Sequence, residues 1–257
     1  MPDSGFPRNI FAGFLSRGNR SKPGSTTQKR DEGLKNSVCI IKDRFYWRAV
    51  QSEPGYAQRC VVPEDTKSTH YFCIDDKFIY WNFFLDFGPL HLGHLYRFCE
   101  MANEKLEDPR LSSKQIVFVC GSHPHRRANS ACLAAAYAVL YLRKSPKEAW
   151  DLFKDVYPPF PPFHDASPCV CTYKLTILDV LEGIARANKL DFFDFRTFDA
   201  DEYEYFERPE CGDLNWIVKN KFLAFAGPND HSMDYCSLSP SVSLRSLNCF
   251  TFHAEVN

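Results

Sequence analysis

One short stretch of the chain has the residue types and the order of elements needed to bind an anion. The apolar, β-branched run at Gln115–Cys120 predicts a buried strand, and the run rich in Ala and Leu at Ala128–Leu142 predicts a central helix. The polar segment Gly121–Arg127 joins them as a predicted loop. The first turn of a helix has backbone N–H groups without helical partners and carries the positive end of the helix dipole. This unit would therefore favour a phosphate or another anion.

Cys120 and Arg126 add the two side chains that nucleophilic chemistry on such an anion requires. Their spacing, Cys-x5-Arg, is the one that cysteine phosphatases use. In those enzymes the Cys attacks phosphorus as a thiolate, whose pKa is lowered by nearby backbone amides, and the Arg binds the phosphate through paired hydrogen bonds. On this hypothesis Cys120 is the nucleophile, Arg126 is the phosphate ligand and Asp165 is the general acid.

Four neighbouring residues count against a working phosphatase loop. Val119 stands where the residue before the Cys is usually His, and His123 stands where a Gly normally lets the loop curl around the phosphate. Pro124 has no backbone N–H to donate, and Arg127 replaces the hydroxyl residue that normally helps the thiolate leave. Three interpretations therefore stay open: a catalytic loop, a vestigial anion site and a structural loop.

A second group of residues suited to binding is acidic and lies between residues 190 and 213. Only Lys189, Arg196 and Arg208 oppose its charge nearby. The nine carboxylates are Asp191, Asp194, Asp199, Asp201, Glu202, Glu204, Glu207, Glu210 and Asp213. Such a cluster could recognise a basic peptide, whereas the plainer interpretation is a solvated helix face or a linker.

The composition limits the function further. The chain has 257 residues, a net charge of −1 and 44% hydrophobic residues, so a globular protein without a general attraction to nucleic acid is expected. Its 11 Cys are scattered and are interpreted as reduced thiols in cytosol or nucleus. No signal peptide opens the chain, and no apolar stretch approaches the roughly 18 residues of a membrane span, so no membrane association is expected. Pairs such as His91 and His94 lack the spacing of a structural zinc site, so no metal or cofactor is predicted.

Local patterns place further elements around the strand–loop–helix unit. Tyr71–Ile74 and Phe78–Tyr80 resemble the two strands of a hairpin. Apolar residues at helical spacing predict helices over Leu90–Leu106 and Tyr173–Lys189. A capping box at Ser145–Glu148 predicts the start of another helix between them.

Six ordered segments complete the sequence pattern. They are His70–Asp75, Asn82–Leu90, Arg127–Ala131, Pro162–Ser167, Asp201–Tyr205 and Gly212–Ile217. In this order they resemble the N-terminal half of the Cdc-fourteen-type dual-specificity phosphatases, and the resemblance runs over about residues 36–228.

The resemblance implies two tandem phosphatase-like domains, of which the N-terminal one is not catalytic and forms a wall of the substrate groove. On this chain it implies an α/β domain at residues 36–189, with a central mixed or mainly parallel sheet flanked by helices. An acidic linker helix at 190–213 and the start of the catalytic domain at 214–228 would follow. A basic tail at 1–35 and a divergent tail at 229–257, both expected to be disordered, complete the predicted organisation.

Beyond Pro228 the chain no longer follows the family pattern. The His-Cys-x5-Arg catalytic domain is therefore predicted to be absent here, as in a shortened isoform or a truncated gene model. In the family the acidic linker reads a basic residue after a phosphoserine–proline pair. The resemblance thus implies five substrate-binding candidates: Glu202, Glu204, Glu207, Glu210 and Asp213.

The predicted function is a substrate-recognition domain of a dual-specificity phosphatase that acts in cell-cycle and mitotic-exit control, without catalytic activity in this chain. Its predicted partners are basic or Pro-directed phosphorylated proteins and full-length family members. Its predicted location is the nucleus and cytoplasm, including the centrosome or spindle. Two alternatives stay open: an active cysteine phosphatase that uses Cys120 and Arg126, and a scaffold or dominant-negative partner.

Overall fold

The computed structural model describes residue 34 and residues 36–53, 60–218 and 220–225. The basic tail predicted at 1–35, apart from residue 34, and the divergent tail predicted at 229–257 lie outside the described residues. The chain divides into two compact units, the first ending at Arg196 and the second beginning at Thr197.

Four strands form the central sheet of the first unit. They are β1 (Val38–Ile41), β2 (Phe45–Ala49), β3 (Thr69–Cys73) and β4 (Gln115–Cys120). The order across the sheet is β1-β2-β4-β3, with β4 parallel to both of its neighbours and β1 antiparallel to β2. This confirms the predicted mixed, mainly parallel sheet.

The described part of the first unit contains four α-helices: α1 (Leu92–Glu107), α2 (Pro124–Leu140), α3 (Pro146–Asp151) and α4 (Ile177–Lys189). Their apolar faces share one core with alternate residues of β4, namely Ile116, Phe118 and Cys120. Nearly all of α2 is buried, as its density of Ala and Leu predicts. Each large side chain buried in this core contributes roughly 1.5–3 kcal/mol.

The intervening residues of β4 face the other side of the sheet. Val117 and Val119 pack there with Tyr46 and Tyr71 in a smaller cluster, which Cys60 and Cys73 also join. Cys120 and Cys73 therefore face opposite sides of the sheet.

Local signals set two of the helix starts. Ser145 and Glu148 form the predicted capping box, in which each side chain accepts a hydrogen bond from the backbone N–H of the other. A second capping box, of Thr176 and Asp179, starts α4 at Ile177, four residues after the predicted start.

The predicted hairpin at Tyr71–Tyr80 is wrong. The first of its two segments forms most of β3, which pairs with β4 in parallel, whereas Phe78–Tyr80 forms no strand. The backbone N–H groups of Lys77 and Phe78 both donate to the carbonyl of Ile74, and these bonds turn the chain away from the sheet. The parallel partner of β3 lies far along the sequence, and a local pattern does not reveal it.

Two further short strands, β5 (Phe163–His164) and β6 (Lys174–Leu175), pair in antiparallel fashion within the first unit. His164 and Phe87 also exchange two backbone hydrogen bonds, of 3.0 and 2.8 Å. These bonds hold the segment before α1 against β5.

The second unit contains helix α5 (Ala200–Phe206), a 3-10 turn at Pro209–Cys211, and an antiparallel pair of strands, β7 (Leu214–Val218) and β8 (Phe222–Phe225). The acidic helix predicted over residues 190–213 is wrong in its extent, since only seven of those residues form α-helix. Asp199 caps that helix at its start, and Arg208 adopts the extended backbone that a following proline favours, which prevents continuation.

Among the described residues, no helix is both long enough and apolar enough to cross a bilayer.

Candidate functional site

The carboxyl ends of β3 and β4 bring Asp75 to the loop that the sequence singled out. Cys73 pairs with Val119 in the parallel register, so continuing that register by two residues places Asp75 opposite Gly121. The Gly121 N–H donates to Asp75 Oδ2 at 2.7 Å. The carboxylate therefore occupies the first backbone donor after Cys120.

Arg126 also faces this carboxylate. It lies in the first turn of α2, and its Nη1 is 3.6 Å from Asp75 Oδ2. The Asp75 side chain is buried, and desolvation raises its pKa, while the Gly121 N–H and the Arg126 charge oppose that increase. The two groups that would bind a phosphate thus bind an anion supplied by the chain itself.

Two further backbone donors of the loop are engaged as well. The Ser122 N–H donates to Ser52 Oγ at 2.9 Å, and the His125 N–H donates to His123 Nδ1 at 3.3 Å. Pro124 has no N–H. Helix α2 begins at Pro124 and not at the predicted Ala128, because proline suits the first helical turn and His123 caps it. The observed loop, Gly121–His123, is therefore shorter than the predicted loop Gly121–Arg127.

Cys120 is fully buried and faces the helices. Burial strongly raises the pKa of its thiol, and the nearby Asp75 carboxylate raises it further, although a hydrogen bond with Ser130 acts in the opposite direction. A thiol in this environment stays protonated at neutral pH and is a poor nucleophile.

Arg127, which replaces a hydroxyl residue in the phosphatase pattern, is buried and structural. Its Nη2 donates to the Pro158 carbonyl at 2.5 Å, and its guanidinium lies 5.2 Å from the centre of the Phe160 ring. Ser130 Oγ in turn donates to the Arg127 carbonyl at 3.1 Å and accepts from Trp47 Nε1 at 3.0 Å. The Ser130 hydroxyl is thus hydrogen bonded within the core.

Asp165 lies in the exposed loop between β5 and β6. Its Oδ1 accepts from the Ser167 N–H at 3.1 Å, and hydrogen bonds from Ser167 lower its pKa. A general acid needs a proton to give at neutral pH, so a carboxyl group with a lowered pKa is unsuited to that role.

A cavity of about 440 Å³ opens beside the loop. Asp75, His123, His125, Arg126 and Asn129 line it together with apolar and aromatic side chains, whereas Cys120 and Asp165 are not among its lining residues. Asn129 is 6% exposed, and its Oδ1 has no hydrogen-bond partner among the described residues. Burial lowers the pKa values of His123 and His125, so both imidazoles are neutral at physiological pH.

Sequence reasoning missed Asp75 and Asn129 as parts of this site. A signal for Asp75 exists in the sequence: it follows an apolar segment directly, and the ends of neighbouring parallel strands meet at one edge of a sheet. The mistaken hairpin concealed this signal.

The five acidic candidates all lie in the second unit. Glu202 and Glu204 belong to α5, Glu207 is its C-terminal cap, Glu210 lies in the following 3-10 turn and Asp213 precedes β7. Partial burial raises the pKa of Glu207, and the charges of Asp213 and Glu204 raise it further. These three carboxylates are therefore close enough to repel one another, a condition that a bound cation would relieve.

One cluster of potential metal-ligating side chains occurs among the described residues. Donor atoms of Cys60, Cys73 and Asp75 lie within 4.8 Å of one another. Of the pairs noted in the sequence, His91 caps α1 and accepts from the His94 N–H. The prediction that the chain binds no metal stays a prediction.

Comparison with known proteins settles the family. The sequence model of one family, described as dual specificity protein phosphatase, N-terminal half, matches residues 39–187. The chain belongs to this family. The match includes the whole central sheet apart from Val38, together with α1 to α3 and most of α4.

Its relatives include CDC14 phosphatases from animals and yeasts. The chain is 49% identical over 194 residues to the human dual specificity protein phosphatase CDC14A and 34% identical over 214 residues to the tyrosine-protein phosphatase CDC14 of Saccharomyces cerevisiae. These matches cover 75% and 83% of this chain. They cover only 31% and 37% of those relatives, so the chain spans about a third of their length.

Proposed function

We propose that this chain is a phosphatase-like recognition module that performs no phosphoryl transfer of its own. The observation that carries the proposal is the hydrogen bond from the Gly121 N–H to the Asp75 carboxylate, which also faces Arg126. An internal anion in this position competes with a phosphate for the same donors. The buried, protonated Cys120 supports the same conclusion, because phosphoryl transfer to cysteine needs a thiolate.

Turnover of p-nitrophenyl phosphate and of a phosphoserine–proline peptide by the purified chain tests this proposal. We expect no release of phosphate above the buffer rate, and the same result for Cys120→Ser. Iodoacetamide should label Cys120 slowly in the native chain and at the ordinary rate after unfolding, since the native thiol is buried and protonated. Turnover that Cys120→Ser abolishes would establish the alternative, an active cysteine phosphatase.

The second unit supplies the proposed recognition surface. Glu202, Glu210 and Asp213 are exposed. Partial burial raises the pKa of Glu207, and the nearby charges of Asp213 and Glu204 raise it further, so negative charge is concentrated there and suits a Lys or Arg side chain. The relatives are named as protein phosphatases. We therefore propose basic, Pro-directed phosphorylated proteins of cell-cycle control as the partners.

Binding of a phosphoserine–proline–lysine peptide to matched variants tests the recognition surface. The pair Glu207→Gln and Asp213→Asn should weaken binding by roughly tenfold, which corresponds to about 1.4 kcal/mol for two partly exposed charges. Asn at position 213 tolerates the positive φ of 45° that Asp213 adopts. Glu182→Gln, an exposed carboxylate on α4, is the control and should leave the affinity unchanged. Equal losses in the two variants would sink the proposed surface.

A scaffold role is a second candidate, and the strand pair of the second unit favours it. Trp216, Ile217, Phe222 and Phe225 expose between 43% and 61% of their surface, which is unusual for large apolar side chains on a short two-stranded sheet. Full-length family members are the proposed partners, and size-exclusion chromatography of the mixture tests it. A location in the nucleus and cytoplasm, including the centrosome or spindle, stays a prediction.

A further inference from the structure

Two cysteines lie together on the side of the sheet that faces away from α2. Cys73 is the last residue of β3, and Cys60 belongs to the segment that precedes this strand. An antiparallel bridge between Ser52 and Cys60 holds that segment, together with a 3.1 Å hydrogen bond from the Val61 N–H to the Gln51 carbonyl. We propose that Cys60 and Cys73 form a redox-active dithiol, which a hydroperoxide converts into a reversible intramolecular disulfide.

The geometry brings the two sulfur atoms within reach of each other. Their Sγ atoms lie within 4.8 Å of each other. Each residue is partly exposed, so a small oxidant can reach the pair, whereas Cys99 and Cys120 are fully buried. Formation of a disulfide therefore needs rotation of side chains and a small approach of two backbone segments.

The surroundings give the two sulfur atoms different roles. The Asp75 backbone N–H donates to Cys73 Sγ at 3.4 Å, so this sulfur has a backbone donor that stabilises a thiolate. A side-chain hydrogen bond with Cys60 lowers the pKa of Cys73, against burial and the Asp75 charge, which raise it, and the Asp75 N–H lowers it further. The same side-chain hydrogen bond raises the pKa of Cys60. Cys73 is accordingly the attacking sulfur and Cys60 the resolving sulfur.

The proposed reaction has two balanced steps. The Cys73 thiolate attacks one oxygen of the hydroperoxide, the O–O bond breaks, and Cys73 becomes a sulfenic acid as an alkoxide or hydroxide leaves. The Cys60 sulfur then attacks the Cys73 sulfur, an S–S bond forms, and hydroxide leaves and takes the Cys60 proton as water. The two thiols lose two electrons in total, and the peroxide gains them. An external dithiol returns both electrons and restores the thiols by exchange.

The position of the Asp75 carboxylate favours a dithiol over a metal centre. Its Oδ2 already accepts from Gly121 and faces the Arg126 cation, which would repel a metal ion at that oxygen. The cluster offers three ligands in total, whereas structural zinc sites use four. A metal ion is therefore treated as an outcome of the experiment below.

Peptide mapping under non-reducing conditions tests the proposal on the whole chain. The reduced protein is exposed to hydrogen peroxide, quenched and digested. We expect a linked peptide that contains Cys60 and Cys73, lighter by two hydrogen atoms than the sum of the separate peptides and lost on treatment with dithiothreitol. Cys60→Ser should lose the link and accumulate a sulfenic acid at Cys73, which a dione probe labels. Cys73→Ser should lose both the link and the label.

The exposed Cys39 supplies the matched control. Cys39→Ser should form the Cys60–Cys73 link at the wild-type rate. Circular dichroism of each variant confirms that the fold is kept, and the wild-type map alone keeps the proposal falsifiable if a variant does not fold. Links that pair Cys60 or Cys73 with Cys39 as often as with each other would overturn the proposal. So would stoichiometric zinc that stays bound through gel filtration and blocks the link.

Discussion

Asp75 is the residue that fills the potential anion site after Cys120. Its carboxylate lies where an active phosphatase loop would hold substrate, and it takes one backbone N–H while facing one guanidinium there. A hydrogen bond that involves a charged group contributes about 1.5–3 kcal/mol. An external anion therefore competes poorly with a carboxylate that is covalently part of the chain. The site is better described as filled by the chain than as damaged by the loss of catalytic groups.

Removing that carboxylate should create an anion site. In Asp75→Ala the Gly121 N–H loses its acceptor and Arg126 loses the carboxylate it faces, so sulfate or phosphate can bind at the start of α2. We expect sulfate to raise the melting temperature of Asp75→Ala and to leave that of the wild type nearly unchanged, because a ligand stabilises only the state that binds it. Differential scanning fluorimetry over a sulfate series measures both.

The double variant Asp75→Ala, Arg126→Gln is the control for this gain. It lacks the guanidinium, so sulfate should stabilise it much less than it stabilises Asp75→Ala. An equal sulfate effect in the wild type and in Asp75→Ala would show that the carboxylate does not block the site.

The helices show where sequence reasoning succeeds. A capping box is a signal confined to four residues, and Ser145–Glu148 is therefore readable without the fold. The density of Ala and Leu in α2 similarly predicts its burial, since few other environments suit such a helix. Its first turn lies outside the predicted helix, because Pro124 was considered only as a loop residue without an N–H, whereas proline also suits the first helical position.

The strands show where it fails. β3 pairs with β4, which follows it far along the sequence, and no pattern within Tyr71–Tyr80 distinguishes that pairing from a hairpin. The position of Asp75 opposite Gly121 depends on this register, so the sequence analysis, which lacked the register, did not place Asp75 at the site. Membership of the phosphatase family was predictable, because it rests on ordered residue types and not on geometry.

The start of α4 provides a prediction at the level of an element. Thr176 Oγ1 and the Asp179 carboxylate satisfy backbone donors at both ends of the capping box, and the helix buries Ile177 and Leu181 directly behind it. Thr176→Ala should therefore reduce the free energy of unfolding by about 1 kcal/mol and the melting temperature by roughly 2–4 °C. Thr172→Ala, in the exposed loop before β6, is the control and should change neither value. Identical losses would contradict the assigned cap.

At the scale of the whole molecule, the large apolar core and the acidic candidate surface belong to different units. The first unit holds the large apolar core, and the second holds the five acidic candidates. Attraction between the acidic surface and a basic peptide is screened by salt, whereas apolar burial is not weakened by it.

Salt should therefore affect peptide binding and thermal stability differently. The screening length falls from about 10 Å at 0.1 M salt to about 3 Å at 1 M. We expect the affinity for the phosphoserine–proline–lysine peptide to fall by roughly tenfold over that range while the melting temperature does not decrease. Fluorescence anisotropy and calorimetry at matched sodium chloride concentrations measure the two quantities. Peptide binding that is independent of salt would exclude charge as its basis.

The parallel pairing of β3 with β4 also has a consequence for folding kinetics. The contact between Asp75 and Gly121 joins residues 46 positions apart, and that between Ser52 and Ser122 joins residues 70 positions apart. Contacts of such separation close large loops, and chains that depend on them fold slowly. During synthesis β2 and β3 leave the ribosome well before β4, so the edges that pair with β4 are unpaired until it is made. The internal anion site therefore forms only once β3 and β4 have paired, and its formation reports that pairing.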